Sequence, residues 1–383
     1  MTGPQFQVRA LQPLFLTVEG IGPFQAEPFE LDFTDAEDEP CNFYVIVSEN
    51  GGGKTILLEL MACLMGLLSG GEREALGLED LDTGKGRAQW DLLVGLYRGG
   101  REERFVLSLA AGGGDPWSLA DWDEERLAAY GASDRARLGY RRHDSDRLEP
   151  VGMNDERASG LVAAVRGWRD SPPDGFEDNT LTLPTLLYFD PYRDIPPVRT
   201  GKRWISEPEN WGYRPVHRFG KEGENWGVSL DNLLVWLKWL DEGRDESRFD
   251  RAVKTINERV FEGSTKFLKG IRKQTLEAIV SNDRHIHRLD RLGSGEKSLV
   301  QLYLRLGVHM TRNTILVVDE MDVHLHAKWQ HRTMRLFKQL LREHPGLTII
   351  ATHHSMELIE AFSFEVPQEG LRKGGFIIDE NLE

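Results

Sequence analysis

The sequence predicts an α/β fold with a mixed sheet, and three stretches carry that prediction. The first is an apolar strand, Phe43 to Val47. It runs through Ser48, Glu49, Asn50, Gly51, Gly52 and Gly53 into an apolar helix that begins at Lys54-Thr55 and continues to Leu68. The second is the strand Thr314 to Val318, which ends in Asp319-Glu320. The third, Leu347 to Ala351, ends in Thr352-His353-His354-Ser355. Short apolar runs bounded by glycine or polar turns read as buried strands, and longer runs at 3.6-residue spacing as helices.

In the first stretch glycine removes the Cβ that would stop backbone N–H groups from converging on an anion. The helix start adds free N–H donors and a partial positive charge. Lys54 is placed to reach β- and γ-phosphates, and the Thr55 hydroxyl to sit on Mg²⁺. Strand, loop, Lys-Thr and helix arrive in the order of a P-loop, with Ser48 where the first glycine usually stands.

Composition narrows the rest. A 383-residue chain can bury a full core and is expected to carry one large domain plus an insertion. Forty-seven Lys and Arg against 62 Asp and Glu give a net charge of −15. The overall field therefore repels nucleic acid, and any such contact needs a local basic patch. Cys41 and Cys63 are expected to be a reduced pair. The N-terminus has no signal-peptide pattern, and no apolar run spans a bilayer, so the expected location is cytoplasmic.

Along the chain, Val8 to Val18 and Phe29 to Phe33 read as strands around the Gly20-Ile21-Gly22-Pro23-Phe24 turn. Gln89 to Tyr97 and Arg104 to Leu109 read as a hairpin. Ala110 to Pro173 reads as a less regular, solvated insertion with helices at Glu124–Tyr130 and Glu156–Arg169; Arg135, Arg137, Arg141, Arg142 and Arg147 cluster there. Thr185 to Phe189 is a buried strand. Arg199 to Trp226 interleaves aromatic and basic residues, which can stack bases or pin a long loop to the core. Leu230 to Leu240 and Phe249 to Phe261 read as a two-helix arm, and Leu276 to Val280 with His285 to Leu289 as a hairpin. Gly375 to Ile378 is a last strand. The expected divisions are 1–109, 110–275 and 276–383: two halves of one nucleotide-binding unit around an insertion with a helical arm.

The second half repeats phosphate chemistry. Gly293, Ser294, Gly295 and Glu296 form a small turn leading into the helix Glu296 to Met310, again offering N–H groups and a hydroxyl at a helix start. Two carboxylates at the end of a buried strand are costly unless paired or on a metal. Asp319 then reads as a Mg²⁺ holder acting through water, and Glu320 as the group that polarises an attacking water. Either His353 or His354 can donate to a γ-phosphate at the strand end. Zinc is not expected: His324, His326, His353 and His354 lack a further well-spaced ligand.

Together these residues resemble the ABC-type ATPases of the SMC, RecF and OLD group. The run Asp319-Glu320-Met321-Asp322-Val323-His324-Leu325-His326 is similar to a segment of OLD-like bacterial defence ATPases, and Thr352-His353-His354-Ser355 to their switch motif. The resemblance implies an ABC-type head with an antiparallel β subdomain and a helical insertion or lid. It places the Walker A motif at Ser48 to Thr55, the Walker B aspartate at Asp319, the catalytic glutamate at Glu320, the switch histidine at His354 and the signature at Gly293 to Glu296. The signature's usual serine position holds Gly293, so either Ser294 supplies the hydroxyl or the contact is through backbone. No glutamine follows the strand ending at Phe189, where the Q-loop is sought, and Gln89 reads as preceding its strand.

The implied activity is Mg-dependent ATP hydrolysis in a homodimer, or higher even oligomer, whose signature turn closes on the other copy's nucleotide. The implied role is to sense DNA or a phage product and control a separate effector, a nuclease or toxin, because too few residues follow Ser355 to encode a Toprim nuclease. The alternatives are a recombination-type DNA clamp and an ATP-gated scaffold with little turnover. A membrane transporter's ATPase subunit fits least.

Overall fold

A computed structural model describes residues 6–48, 51–70, 77–143, 147–170, 181–220, 223–243, 247–283, 285–321, 327–354, 362 and 370–378. The chain opens with β1 (Phe6–Glu19), β2 (Phe29–Asp32) and β3 (Phe43–Ser48), followed by α1 (Lys54–Gly66) and the short α2 (Glu79–Thr83). Next come the hairpin β4 (Arg87–Arg98) and β5 (Arg101–Gly113), then α3 (Glu124–Ala129), β6 (Arg135–Arg142), β7 (Leu148–Val151), α4 (Glu156–Asp170), β8 (Pro184–Phe189) and β9 (Val216–Phe219). The remainder is α5 (Leu230–Leu240), α6 (Arg248–Thr255), β10 (Lys266–Arg272), β11 (Glu277–Asn282), β12 (His285–Arg288), α7 (Ser294–His309), β13 (Asn313–Val318), α8 (Ala327–Glu343), β14 (Leu347–His353) and β15 (Lys373–Ile378).

Three sheets result. The central one, in the order β15-β3-β14-β13-β8-β9, is parallel throughout. A second, β2-β1-β4-β5-β6-β7, is antiparallel except for the β5–β6 pair. The third is the antiparallel β10-β11-β12. This is an α/β P-loop NTPase fold.

Alternation along β3 explains the layering. Tyr44 and Ile46 pack with α1 (Leu57, Leu58, Met61, Leu64) and with Leu92, Leu107 and Leu109 of the antiparallel sheet. Phe43, Val45 and Val47 point the other way, into a second core with α5, α7 and α8. Side chains of a strand alternate faces, so an all-apolar strand must be covered on both. Helix α1 lies between two sheets, which is why nine of its thirteen residues are buried. No helix among the described residues is long and apolar enough to cross a membrane. Cys41 and Cys63 are buried free thiols.

Several sequence expectations need correction. Ala110 to Pro173 is more regular than expected: β5 continues through residues 109 and 110, and β6 and β7 extend its sheet. Of the five arginines in the cluster, Arg135 donates to Ser108, Arg141 pairs with Asp115 and Arg142 donates to the Asp82 carbonyl, while Arg137 and Arg147 are exposed as expected of a solvated stretch. The two-helix arm does not project. Leu230, Leu233, Leu234 and Leu237 of α5 and Phe249 of α6 belong to the second core, and the second helix changes to π-type turns at Ile256–Val260. Gln89 lies inside β4, fully buried, and donates to Asp91 and the Ala120 carbonyl. The loop Arg199 to Trp226 is pinned to the core: Trp226 is buried and donates to the Trp204 carbonyl, Arg203 pairs with Glu277, and Val216–Phe219 forms an edge strand.

Candidate active site

Phosphate-binding geometry begins where β3 ends. Gly51 and Gly53 have φ of 91° and 85°, the left-handed region that glycine enters without strain. A Cβ on Gly53 would come within 2.7 Å of the Pro23 and Phe24 side chains, so the turn at 20–24 is the surface against which the loop is moulded. Gly53 precedes α1 without a side-chain cap, which leaves the first-turn N–H groups for an anion. The Lys54 ammonium is buried and donates to the Ser48 carbonyl (2.5 Å) and hydroxyl (2.9 Å). Ser48, the departure from glycine, thus positions the lysine. Glu49 and Asn50 lie outside the described residues, as do Asp322 to His326 and Ser355.

The two acids of the second stretch meet this loop. Asp319 is fully buried; its Oδ2 accepts from the Thr55 hydroxyl at 2.7 Å and its Oδ1 from the Thr352 hydroxyl at 2.6 Å. Thr352 Oγ1 also accepts the Glu320 N–H at 2.7 Å. One threonine on β14 therefore orients both acids. Thr55 and Asp319 are hard oxygen donors held side by side, the donor set Mg²⁺ takes when phosphates and water complete its shell. No group of three or more ligating His, Cys, Asp or Glu occurs among the described residues.

Glu320 has φ of 45°, unusual for a residue with a Cβ. Its Oε1 lies 3.1 Å from His354 Nε2, and both side chains are partly exposed. His353 is buried within β14. The geometry thus separates two histidines that adjacency in sequence left equivalent.

A cavity of about 500 Å³ adjoins these groups and is lined by Thr55, Glu59, Tyr188, Asp190, Arg218 and Glu320, among others. Arg218 donates to Cys63 Sγ at 3.2 Å and lies over the Tyr188 ring. Burial raises the Asp190 carboxyl above its ordinary range, although the Tyr192 N–H and Arg193 oppose the shift.

Sequence reasoning missed Arg193. Its buried guanidinium donates to the Asp190 carbonyl (2.7 Å), the Asp319 carbonyl (2.6 Å), the Glu320 carbonyl (2.9 Å) and the Ser298 hydroxyl (2.9 Å). Three of these acceptors are backbone oxygens, which no side-chain pattern reveals.

The turn at 293–296 is built differently. Gly293 and Ser294 are exposed. The Glu296 carboxylate accepts the Gly293 N–H at 3.0 Å, capping its own helix, and is paired with Lys266 at 2.8 Å. Within one chain, then, Lys54, Thr55, Asp319, Glu320 and His354 converge through β3, α1, β13 and β14, while Gly293 to Glu296 sit at the solvent-facing start of α7.

These features define an α/β P-loop nucleotide-binding protein. Residues 194–360 match the AAA_21 family, described as "AAA domain, putative AbiEii toxin, Type IV TA system". The chain is similar to Septu protein PtuA of Bacillus thuringiensis, with 27% identity over 115 residues, covering 27% of this chain and 28% of that protein. The match thus spans little more than a quarter of that relative. Among solved structures, an SmcHead bound to the C-winged helix domain of ScpA aligns over 91% of both chains at 13% identity and a TM-score of 0.42. The ATP-binding cassette MJ0796, in a dimeric post-hydrolysis state with ADP and Pi, aligns over 90% of this chain and 89% of its own at 11% identity and a TM-score of 0.29.

Proposed function

We propose that this chain is an ABC-type, SMC-like ATPase that binds Mg·ATP and hydrolyses it in a head-to-tail homodimer. The observation that carries the reading is the 2.7 Å contact between the Thr55 hydroxyl and the Asp319 carboxylate, which joins residues 264 positions apart in one oxygen-donor pair beside Lys54. Thr55 and Asp319 would hold Mg²⁺, which supplies charge neutralisation at the phosphates. Gly51 to Lys54 and the start of α1 hold the phosphate oxygens. Glu320 takes a proton from the attacking water as the new P–O bond forms and the bond to ADP breaks. His354 fixes the orientation of that carboxylate and faces the γ-phosphate. Residues Gly293 to Glu296 of the second copy close the site.

Glu320→Gln keeps the size and removes the base. Its turnover should fall about 10²- to 10³-fold, within the range for lost general-base catalysis, while ATP binding persists and a dimer accumulates. Parent-rate turnover of the variant, measured by phosphate release, contradicts the assignment.

The role we infer for the ATPase is antiviral defence: a nucleic acid or phage product triggers it, and it controls a separate nuclease or toxin. Support comes from the similarity to PtuA and from a family description that names a toxin–antitoxin system. One observation favours nucleic acid as the trigger. Residues 265–291 carry seven Lys or Arg against three Asp or Glu, a local reversal in a chain of net charge −15. On the outer face of β10-β11-β12, Phe267, Ser281 and Ile286 align in one cross-strand row, with Phe267 and Ile286 exposed beside exposed Lys269, Arg272, Lys273 and His285. Such a face can stack bases and hold phosphates. Lys269→Glu with Lys273→Glu should weaken oligonucleotide binding and lower its salt slope by about 2. An unchanged slope removes this surface from the reading.

A further inference from the structure

We propose that Arg193 is a positioning residue through which α7 sets the backbone of Glu320, so that a contact made at Gly293–Glu296 is felt at the hydrolytic carboxylate. The inference rests on the ATPase reading above and adds a route within it.

The guanidinium is a planar fork with five donors in fixed directions, so it transmits position where a flexible ammonium does not. Here its Nε donates to Ser298 Oγ at 2.9 Å, and Ser298 lies on the first turns of α7, two residues past Glu296. Its Nη2 donates to the Glu320 carbonyl at 2.9 Å and Nη1 to the Asp319 carbonyl at 2.6 Å. Nη1 also donates to the Asp190 carbonyl at the end of β8. One rigid group therefore spans the end of β8, the end of β13 and α7.

Glu320 is the residue most affected. Its N–H is held by Thr352 Oγ1 at 2.7 Å and its carbonyl by Arg193, which pins both sides of a residue whose φ is 45°. A left-handed non-glycine backbone persists only when its surroundings determine it. Displacing Ser298 removes one of the groups that aim the guanidinium, and the Glu320 backbone then gains freedom. A second link runs beside the first: Lys297 Nζ donates to Asp194 Oδ1 at 2.9 Å, tying α7 to the residue after Arg193. The loop 190–194 and the start of α7 are thereby fastened twice, side by side.

Ser298→Ala is the sharp test, because it deletes one hydroxyl and leaves Arg193 its three carbonyls. Using the full chain, nucleotide affinity should stay within about two-fold and kcat should fall about five- to ten-fold, the scale of one lost hydrogen bond of ordinary net strength. Ser298→Thr restores the hydroxyl and should restore kcat to within about two-fold. Arg193→Lys should reproduce the kcat loss, again with affinity within about two-fold of the parent, since an ammonium cannot hold the same fork. Hydrogen exchange in the absence of nucleotide provides a readout independent of turnover. The amides of Glu320 and Met321 should exchange about five-fold faster in Ser298→Ala, with β10 unchanged. A Ser298→Ala protein with parent kcat or parent exchange at 320–321 overturns the coupling. If the parent protein itself shows no ATP turnover, the ATPase reading fails, and the exchange measurement alone decides whether Arg193 positions Glu320.

Discussion

Two helix starts in this molecule carry glycine turns of similar composition, and they are finished in opposite ways. At α1 the helix start is engaged within the chain: Lys54 is buried on Ser48, Thr55 is hydrogen-bonded to Asp319, and Gly53 is pressed against Pro23 and Phe24. At α7 the turn is open: Gly293 has an ordinary extended backbone, Ser294 faces solvent, and Glu296 uses its own carboxylate to satisfy the Gly293 N–H. A helix start that caps itself has fewer free donors for an anion, and a carboxylate there disfavours phosphate. The first site is preorganised by one chain. The second would have to be reorganised by contact if, as proposed, it serves as a half-site for another copy.

The largest effect should come from the complete site. Lys54→Ala removes a charged donor aimed along the loop and should weaken a fluorescent ATP analogue about a hundred-fold or more in equilibrium titration, with Ser294→Ala binding as the parent does. Comparable losses from both substitutions would erase the distinction between the two turns.

A smaller effect should come from the open site. Ser294→Ala is expected to lower steady-state turnover about ten-fold at saturating ATP. Mixing it with Lys54→Ala sharpens the comparison, because a mixed dimer contains one site with both halves intact. Activity recovered on mixing, beyond the sum of the two variants, supports a shared site. No recovery under conditions where subunits exchange means that each chain works alone.

The smallest effect concerns acid. His309 closes α7 and lies 4.3 Å, ring centre to ring centre, from His217 on β9; both are buried. Burial, with Arg214 and Arg305 nearby, pushes His217 down to about 3, and burial, His217 and the same arginines hold His309 well below its ordinary value. Both therefore stay neutral in the native state at pH values where the unfolded chain is protonated. Stability is fully present above the unfolded pKa of about 6.5 and falls as pH drops below it, by about 1 to 1.5 kcal/mol for the pair between pH 7 and 6. Urea midpoints should show this, and hydrogen exchange should rise sooner with acid in α7 than in α1. His309→Phe should flatten the dependence.

What the sequence made legible follows from locality. The strand-loop-helix at 43–68 reads directly because its signals are contiguous, and α5 reads at Leu230–Leu240 because apolar residues recur there at helical spacing. Strands β6, β9 and β10 were missed because Arg135–Arg142, Val216–Phe219 and Lys266–Arg272 alternate basic residues with apolar ones, so they read as charged loops. Their partners across the sheet, not their own propensity, make them strands. The choice between His353 and His354, left open by the residues themselves, turns on which one faces Glu320, a matter of register at the end of β14. Arg193 was invisible for a similar reason, since its acceptors lie up to 127 residues away.

The left-handed backbone at Glu320 sets heat resistance against chemistry. Glycine would adopt a φ of 45° with less strain, by about 1 kcal/mol. Glu320→Gly would relax that corner, lose the pair with His354 and, under the proposed mechanism, remove the carboxylate that takes the proton from water. Retaining a carboxylate on that corner is a preference that folding does not supply.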